Sequence, residues 1–134
     1  MSRIGPCWSS RPTRTTGRYP AGLLRLISPY AAAKREVNEE LGLLVDPGRL
    51  LAVDWVPPKP ARTDGVIFVY DGGQLSYSQT ASISLPRDEL RSWAWCTEHE
   101  APNRLSELLT RRLVGARLAR ARGITLYLED GRPR

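Results

Sequence analysis

From residue 28 onward the chain shows two hydrophobic periods, one near 3.6 and one near 2, and their succession predicts its elements. "PYAAAKREVNEELG" (29–42) reads as a helix, with Ser28 or Pro29 at its start, alanines in the first turns and Gly42 at its stop. At 100° per residue, Ala33, Val37, Leu41 and Leu44 share an arc that would face a core. "RLLAVDWV" (49–56) reads as a strand and "PPKPARTDG" as a Pro-rich loop. "VIFVYDGG" (66–73) is a short apolar run ended by a turn signal, expected as a central strand. "TASISL" (80–85) and "SWAWCT" (92–97) alternate and read as strands. "PNRLSELLTRRLVGARLARA" (102–121) sets Leu105, Leu108, Leu109 and Leu113 on one helical face, and "ITLYLED" (124–130) alternates again.

Before residue 28 no period is sustained. Residues 1–27 are therefore expected as an irregular basic segment and residues 28–134 as the folded domain. Helix, strands, helix, strand in that order predict an α/β fold with a mixed sheet and helices packed on its faces. A chain of 134 residues is large enough for one such core. No apolar run approaches the roughly 18 residues of a membrane span, and the first residues lack the apolar stretch of a secretion signal. With only Cys7 and Cys96 there is no disulfide framework, so a reducing, cytoplasmic setting is expected, with Cys96 as core filler rather than nucleophile. The net charge of +6 resides mostly in the first 27 residues, which hold Arg3, Arg11, Arg14, Arg18 and Arg25 and no acid. That arm has no aromatic interleaving beyond Trp8 and Tyr19, which argues against nucleic acid as the partner.

The helix at 29–42 poses a chemical question. Glu36, Glu39 and Glu40 fall within an arc of about 100°, and a like-charged pair one turn apart costs a few tenths of a kcal/mol. Arg35 can offset part of this by pairing with Glu39, four residues on. A solvated acidic face is the plain reading. Yet the acids stand at the middle and end of the helix, where the helix dipole gives carboxylates no help. A divalent cation would relieve the repulsion: Mg²⁺ takes oxygen ligands, often one or two carboxylates, and completes its shell with water and phosphate.

"REVNEELGL" resembles the second half of the Nudix box, in which Arg-Glu, an aliphatic residue, any residue, Glu-Glu, any residue, Gly and an aliphatic residue follow in order. Arg35, Glu36, Val37, Glu39, Glu40, Gly42 and Leu43 match its specified positions. The resemblance covers about residues 28–130 and implies an α/β/α sandwich with a mixed sheet, its N-terminal strand and loop missing or disordered. It implies hydrolysis of a nucleoside diphosphate linked to another moiety, with Mg²⁺ or Mn²⁺ as cofactor and a nucleotide-like small molecule as substrate. Glu36, Glu39 and Glu40 would hold metal and water, Arg35 would orient Glu39, and Gly42 would turn the chain out of the helix. A further carboxylate often comes from a later loop in this family; Asp88 and Glu89 are the candidates, with helix capping as their alternative use. Lys59 and Arg62 could meet phosphates or be solvated, and Trp55 and Tyr70 could stack on a base or pack in the core.

The first half of the box is absent: Ala21 and Ile27 stand where its glycine and glutamate belong. A catalytically inactive domain of the same fold, binding a nucleotide or a protein, is therefore the alternative. The flanking residues suggest a cause. Read in a shifted frame, the codons of "TGRYPAGLLR" can spell Trp-x-Leu-Pro-Gly-Gly-x-x-Glu, which resembles the family's lead-in and falls in register. No pattern in the chain fixes its oligomeric state.

Overall fold

The computed structural model describes residues 4–10, 27–60, 63–85 and 90–134, with backbone alone for 4–10 and 90–92. In chain order it holds β1 (Ile4–Ser10), α1 (Pro29–Leu41), β2 (Leu50–Val56), β3 (Gly65–Tyr70), α2 (Tyr77–Ala81), β4 (Leu90–Cys96), a 3₁₀ turn (Ala101–Asn103), α3 (Glu107–Arg122), β5 (Leu126–Glu129) and β6 (Arg132–Pro133). Four strands form one mixed sheet in the order β3-β2-β5-β6, with β2 and β5 parallel and the outer pairs antiparallel. β1 and β4 form a separate antiparallel pair.

α3 covers one face of the mixed sheet, and small residues let it come close. Ala116 and Ala119 pack against Leu51, with Val69 and Leu126 around them. Gly115 sits over Leu128, where a methyl group would stand 3.3 Å from Leu128 Cδ1. The close approach also brings a buried charge to its partner. Asp54, in the middle of β2, is fully buried. Its Oδ2 accepts from Arg112 Nε of α3 at 2.5 Å, and its Oδ1 accepts from the Gly131 amide of the β5–β6 turn at 2.9 Å. One carboxylate thus ties the central strand, the covering helix and the last turn together. Arg111 donates to the Asp130 carbonyl at 2.9 Å and to its carboxylate at 2.7 Å, adding a second tie at the same end.

Several expectations are met and several are corrected. The helix at 29–42 and the strands at 49–56, 92–97 and 124–130 are present within a few residues of the expected bounds. Among the described residues β3 is an outer strand and not a central one, because an apolar run of six residues carries no information about its neighbours. The strand expected at 80–85 begins instead as α2. Ser76 Oγ accepts from the Gln79 amide at 3.1 Å, and Gln79 Oε1 accepts from the Ser76 amide at 2.8 Å, a reciprocal cap that overrides the short alternation. The alternating Ile83 and Leu85 still act as a one-sided pair, packed with Leu41 and Leu43. α3 starts at Glu107, capped by Ser106, so Leu105 precedes it; Leu105 and Leu113 join Cys96 and Ala101 in a small cluster, while Leu109 is exposed. Leu44 is 80% exposed because the helix has already ended at Gly42, and Leu43 takes the buried place.

The strand at 4–10 has no counterpart in the sequence reading, which expected no element before Ser28. Its pairing to β4 is made by backbone groups and needs no hydrophobic period, and a register shift between Ile4 and Pro6 accommodates the proline. Cys96 is buried as expected, but it is disulfide-bonded, which the count of two cysteines did not suggest. β1, the partner strand of β4, carries the chain's other cysteine, Cys7. Among the described residues no helix is long and apolar enough to cross a membrane.

Candidate functional site

α1 is set by its two ends. The Ser28 side chain accepts from the Ala31 amide at 3.2 Å, and Pro29 supplies a first-turn position whose missing N–H costs nothing. At the other end Gly42 adopts the left-handed conformation (φ 68°), its amide bonded to the Asn38 carbonyl at 2.9 Å. That turn sends Leu43 back beneath the helix. Val37 and Leu41 pack there with Leu43, Val45, Leu75, Ile83 and Leu85, and the Ser84 amide closes on the Leu41 carbonyl at 3.0 Å. The helix therefore rests on the loops that follow it. Its first turn touches the mixed sheet through Tyr30, whose ring meets Tyr70 edge-on with centroids 5.8 Å apart.

With Val37 and Leu41 turned inward, the acidic arc faces outward. Glu36 and Glu39 are exposed and Glu40 is half-buried. Arg35 lies between the first two: its Nη2 donates to Glu36 Oε1 at 2.6 Å, and its Nε stands 3.5 Å from Glu39 Oε1. The expected pairing with Glu39 is thus present, and the shorter contact is to the neighbouring Glu36. On the opposite flank Lys34 donates to Asp46 at 2.5 Å, and that hydrogen bond and charge hold the Lys34 ammonium above the ordinary lysine pKa. Asp46 is a residue the sequence reading missed. It lies twelve residues on in a loop, and only the Gly42 turn brings it back to the helix.

Among the described residues, no three of His, Cys, Asp and Glu come together as a metal-ion cluster. The guanidinium of Arg35 is the cation seated between two of the glutamates. The donor chemistry nevertheless suits a hard divalent ion: carboxylate oxygens at one-turn spacing on a capped helix, partly open to water and phosphate. They fit such an ion as one or two ligands and not as a closed trio.

The other candidates divide. Asp88, Glu89 and Arg62 lie outside the described residues, as does the stretch 11–26 where the first half of the box would fall. Lys59 is exposed, and Trp55 is half-buried on the sheet face opposite α3. Tyr70 is half-buried and already engaged by Tyr30.

The family model of the NUDIX domain matches residues 8–115. No curated protein and no solved structure matches the chain.

Proposed function

Because this chain belongs to the Nudix family, whose members are hydrolases acting on pyrophosphate bonds, we propose that it cleaves the phosphoanhydride of a nucleoside diphosphate linked to another group, with Mg²⁺ or Mn²⁺ as cofactor. The observation that supports this reading is the outward acidic arc of a helix capped at both ends, at the positions the family's box specifies.

Glu36, Glu39 and Glu40 are the carboxylates assigned to the divalent ion, one or two of them at a time. When bound, such an ion neutralises phosphate oxygens and lowers the pKa of coordinated water. The remaining steps fall to the chain. Arg35, bonded to Glu36 and near Glu39, restrains both carboxylates in place of a free rotor. A glutamate not engaged by the ion accepts the proton of the attacking water at a carboxylate oxygen, as a general base. Gly42 and the Ser84 closure keep the end of the helix fixed while this happens. The substrate is a nucleotide-like small molecule.

Formation of a nucleoside monophosphate and a phosphorylated second product from a panel of nucleoside diphosphate derivatives tests the reading. Turnover should require Mg²⁺ or Mn²⁺, stop with EDTA and return when metal is restored. Ala21 and Ile27 favour a second reading, a domain of the same fold that binds without cleaving; it predicts nucleotide binding with no turnover at any metal concentration. The codons of the residues around Ala21, together with the arginine-rich, aperiodic character of residues 1–27, support the division at residue 27, with residues 1–27 as the product of a shifted frame. The bases across codons 16–27 decide that point: they either can or cannot spell the two glycines and the glutamate.

A further inference from the structure

The chain contains three aspartates followed directly by glycine: Asp64–Gly65, Asp71–Gly72 and Asp130–Gly131. In such a pair the backbone can react with its own side chain, the amide nitrogen attacking the carboxyl that precedes it. Glycine, having no Cβ, leaves that nitrogen unshielded and free to turn into reach. The attack needs a carboxyl that can swing toward the amide and an amide not held elsewhere. The fold treats the three pairs differently.

Asp130–Gly131 is closed on both counts. The Asp130 carboxylate accepts from Arg111 at 2.7 Å and lies 3.7 Å from Arg132. The Gly131 amide donates to Asp54 Oδ1 at 2.9 Å, and Gly131 is buried against Arg111 and Leu108. Asp71–Gly72 is held at its carboxylate: Oδ1 accepts from the Gly73 amide at 2.9 Å, and Oδ2 pairs with Arg120 at 3.0 Å. Its main chain is fixed too, the Asp71 carbonyl accepting from the Gly48 amide at 2.7 Å and the Asp71 amide donating to the Arg49 carbonyl at 2.9 Å. Asp64 has no such ties. Its side chain is exposed and, among the described residues, makes no hydrogen bond or ion pair. A methyl group at Gly65 would meet nothing within 4 Å. Gly65 opposes Val56 as the last pair of the β2–β3 ladder, at the end where strands open most readily.

We propose that Asp64 is a site of spontaneous isomerisation, and that the fold confines this chemistry to it. The Gly65 nitrogen bonds to Asp64 Cγ and gives up its proton, the Cγ–OH bond breaks, and water leaves as the ring of a succinimide closes. Water then opens the ring at either carbonyl. Opening at Cγ restores aspartate. Opening at the main-chain carbonyl gives isoaspartate, with the chain running through the former side chain and the α-carboxylate left free. The water lost in the first step is regained in the second, and no oxidant or cofactor enters. The product lengthens the main chain by one carbon at the entrance to β3. Its free α-carboxylate is the group that a methyltransferase specific for isoaspartate takes. Neither residue belongs to the acidic helix, so the outcome does not depend on the hydrolase reading.

Ageing the full chain in neutral buffer, with and without urea, and then mapping isoaspartate by peptide tests this. A protein isoaspartyl methyltransferase supplied with labelled S-adenosylmethionine marks the product. In the folded chain the label should enter the Asp64 peptide and leave the Asp71 and Asp130 peptides blank; in urea all three should take it. Asp64→Glu, whose longer side chain closes its ring far more slowly, should lose the label from that peptide with its circular dichroism unchanged. A folded chain unlabelled at Asp64, equal labelling at Asp71 or Asp130, label that survives Asp64→Glu, or the same single site marked in urea overturns the proposal.

Discussion

The two long helices are held by different physics. α3 is fastened to the sheet by groups that are costly to unpair: Asp54 with Arg112 and Gly131, Arg111 with Asp130, and Gly115 pressed against Leu128. Further ion pairs, Arg117 with Glu98 and Arg120 with Asp71, tie its outer side to neighbouring segments. α1 is held in another way. It is defined by Ser28 and Gly42 at its ends, cushioned by loop residues on one side, and carries half-exposed ion pairs elsewhere. Exposed pairs contribute little. The contrast separates a framework helix, whose charges are buried in holding the fold, from a helix whose charges are paired among themselves at the surface.

The largest effect should come from breaking the framework side. Asp54→Ala removes the acceptor for both Arg112 and the Gly131 amide and leaves a buried guanidinium without its carboxylate, at a cost of about 3–5 kcal/mol. Urea unfolding measures it, and a loss well under that range would mean that α3 is not anchored through Asp54. Loosening α1 should cost less. Gly42→Ala meets no steric obstacle, since the added methyl would stand 3.5 Å from Ser84 Cβ, but it forces a side chain into the left-handed region. About 1–2 kcal/mol is expected, and amide exchange should quicken in α1 while α3 keeps its protection. Equal quickening in both helices would erase the distinction drawn between them.

This division also explains what the sequence discloses. α1 was legible because its determinants are local: a serine, a proline, a glycine and a 3.6-residue period. The leucine face assigned to α3 is met in part, since Leu105 and Leu113 pack with Cys96 and Ala101; the surface that meets the sheet is made of Gly115, Ala116 and Ala119, which signal nothing until the opposing Leu128 and Leu51 are known. Asp54 gave no sign either; an acid within "LLAVDWV" breaks the apolar pattern, and its reason, Arg112, lies 58 residues away. α2 escaped notice because a two-residue cap at Ser76 and Gln79 outweighed the alternation after it. At the acidic helix the order of residues pointed to the chemistry through spacing alone. It could not say that Arg35 would sit against Glu36, or that Asp46 would return to Lys34, since both depend on side-chain reach and loop closure.

The account rests on the acids of α1 serving chemistry and not the fold. Replacing Glu36, Glu39 and Glu40 by glutamine, one at a time, and measuring melting and metal-dependent formation of nucleoside monophosphate on the same samples tests this most directly. The expected result is a melting temperature close to that of the parent for each variant, with turnover reduced on the order of 100-fold in at least one of them. Full turnover in all three variants, with the losses appearing in stability instead, would contradict it.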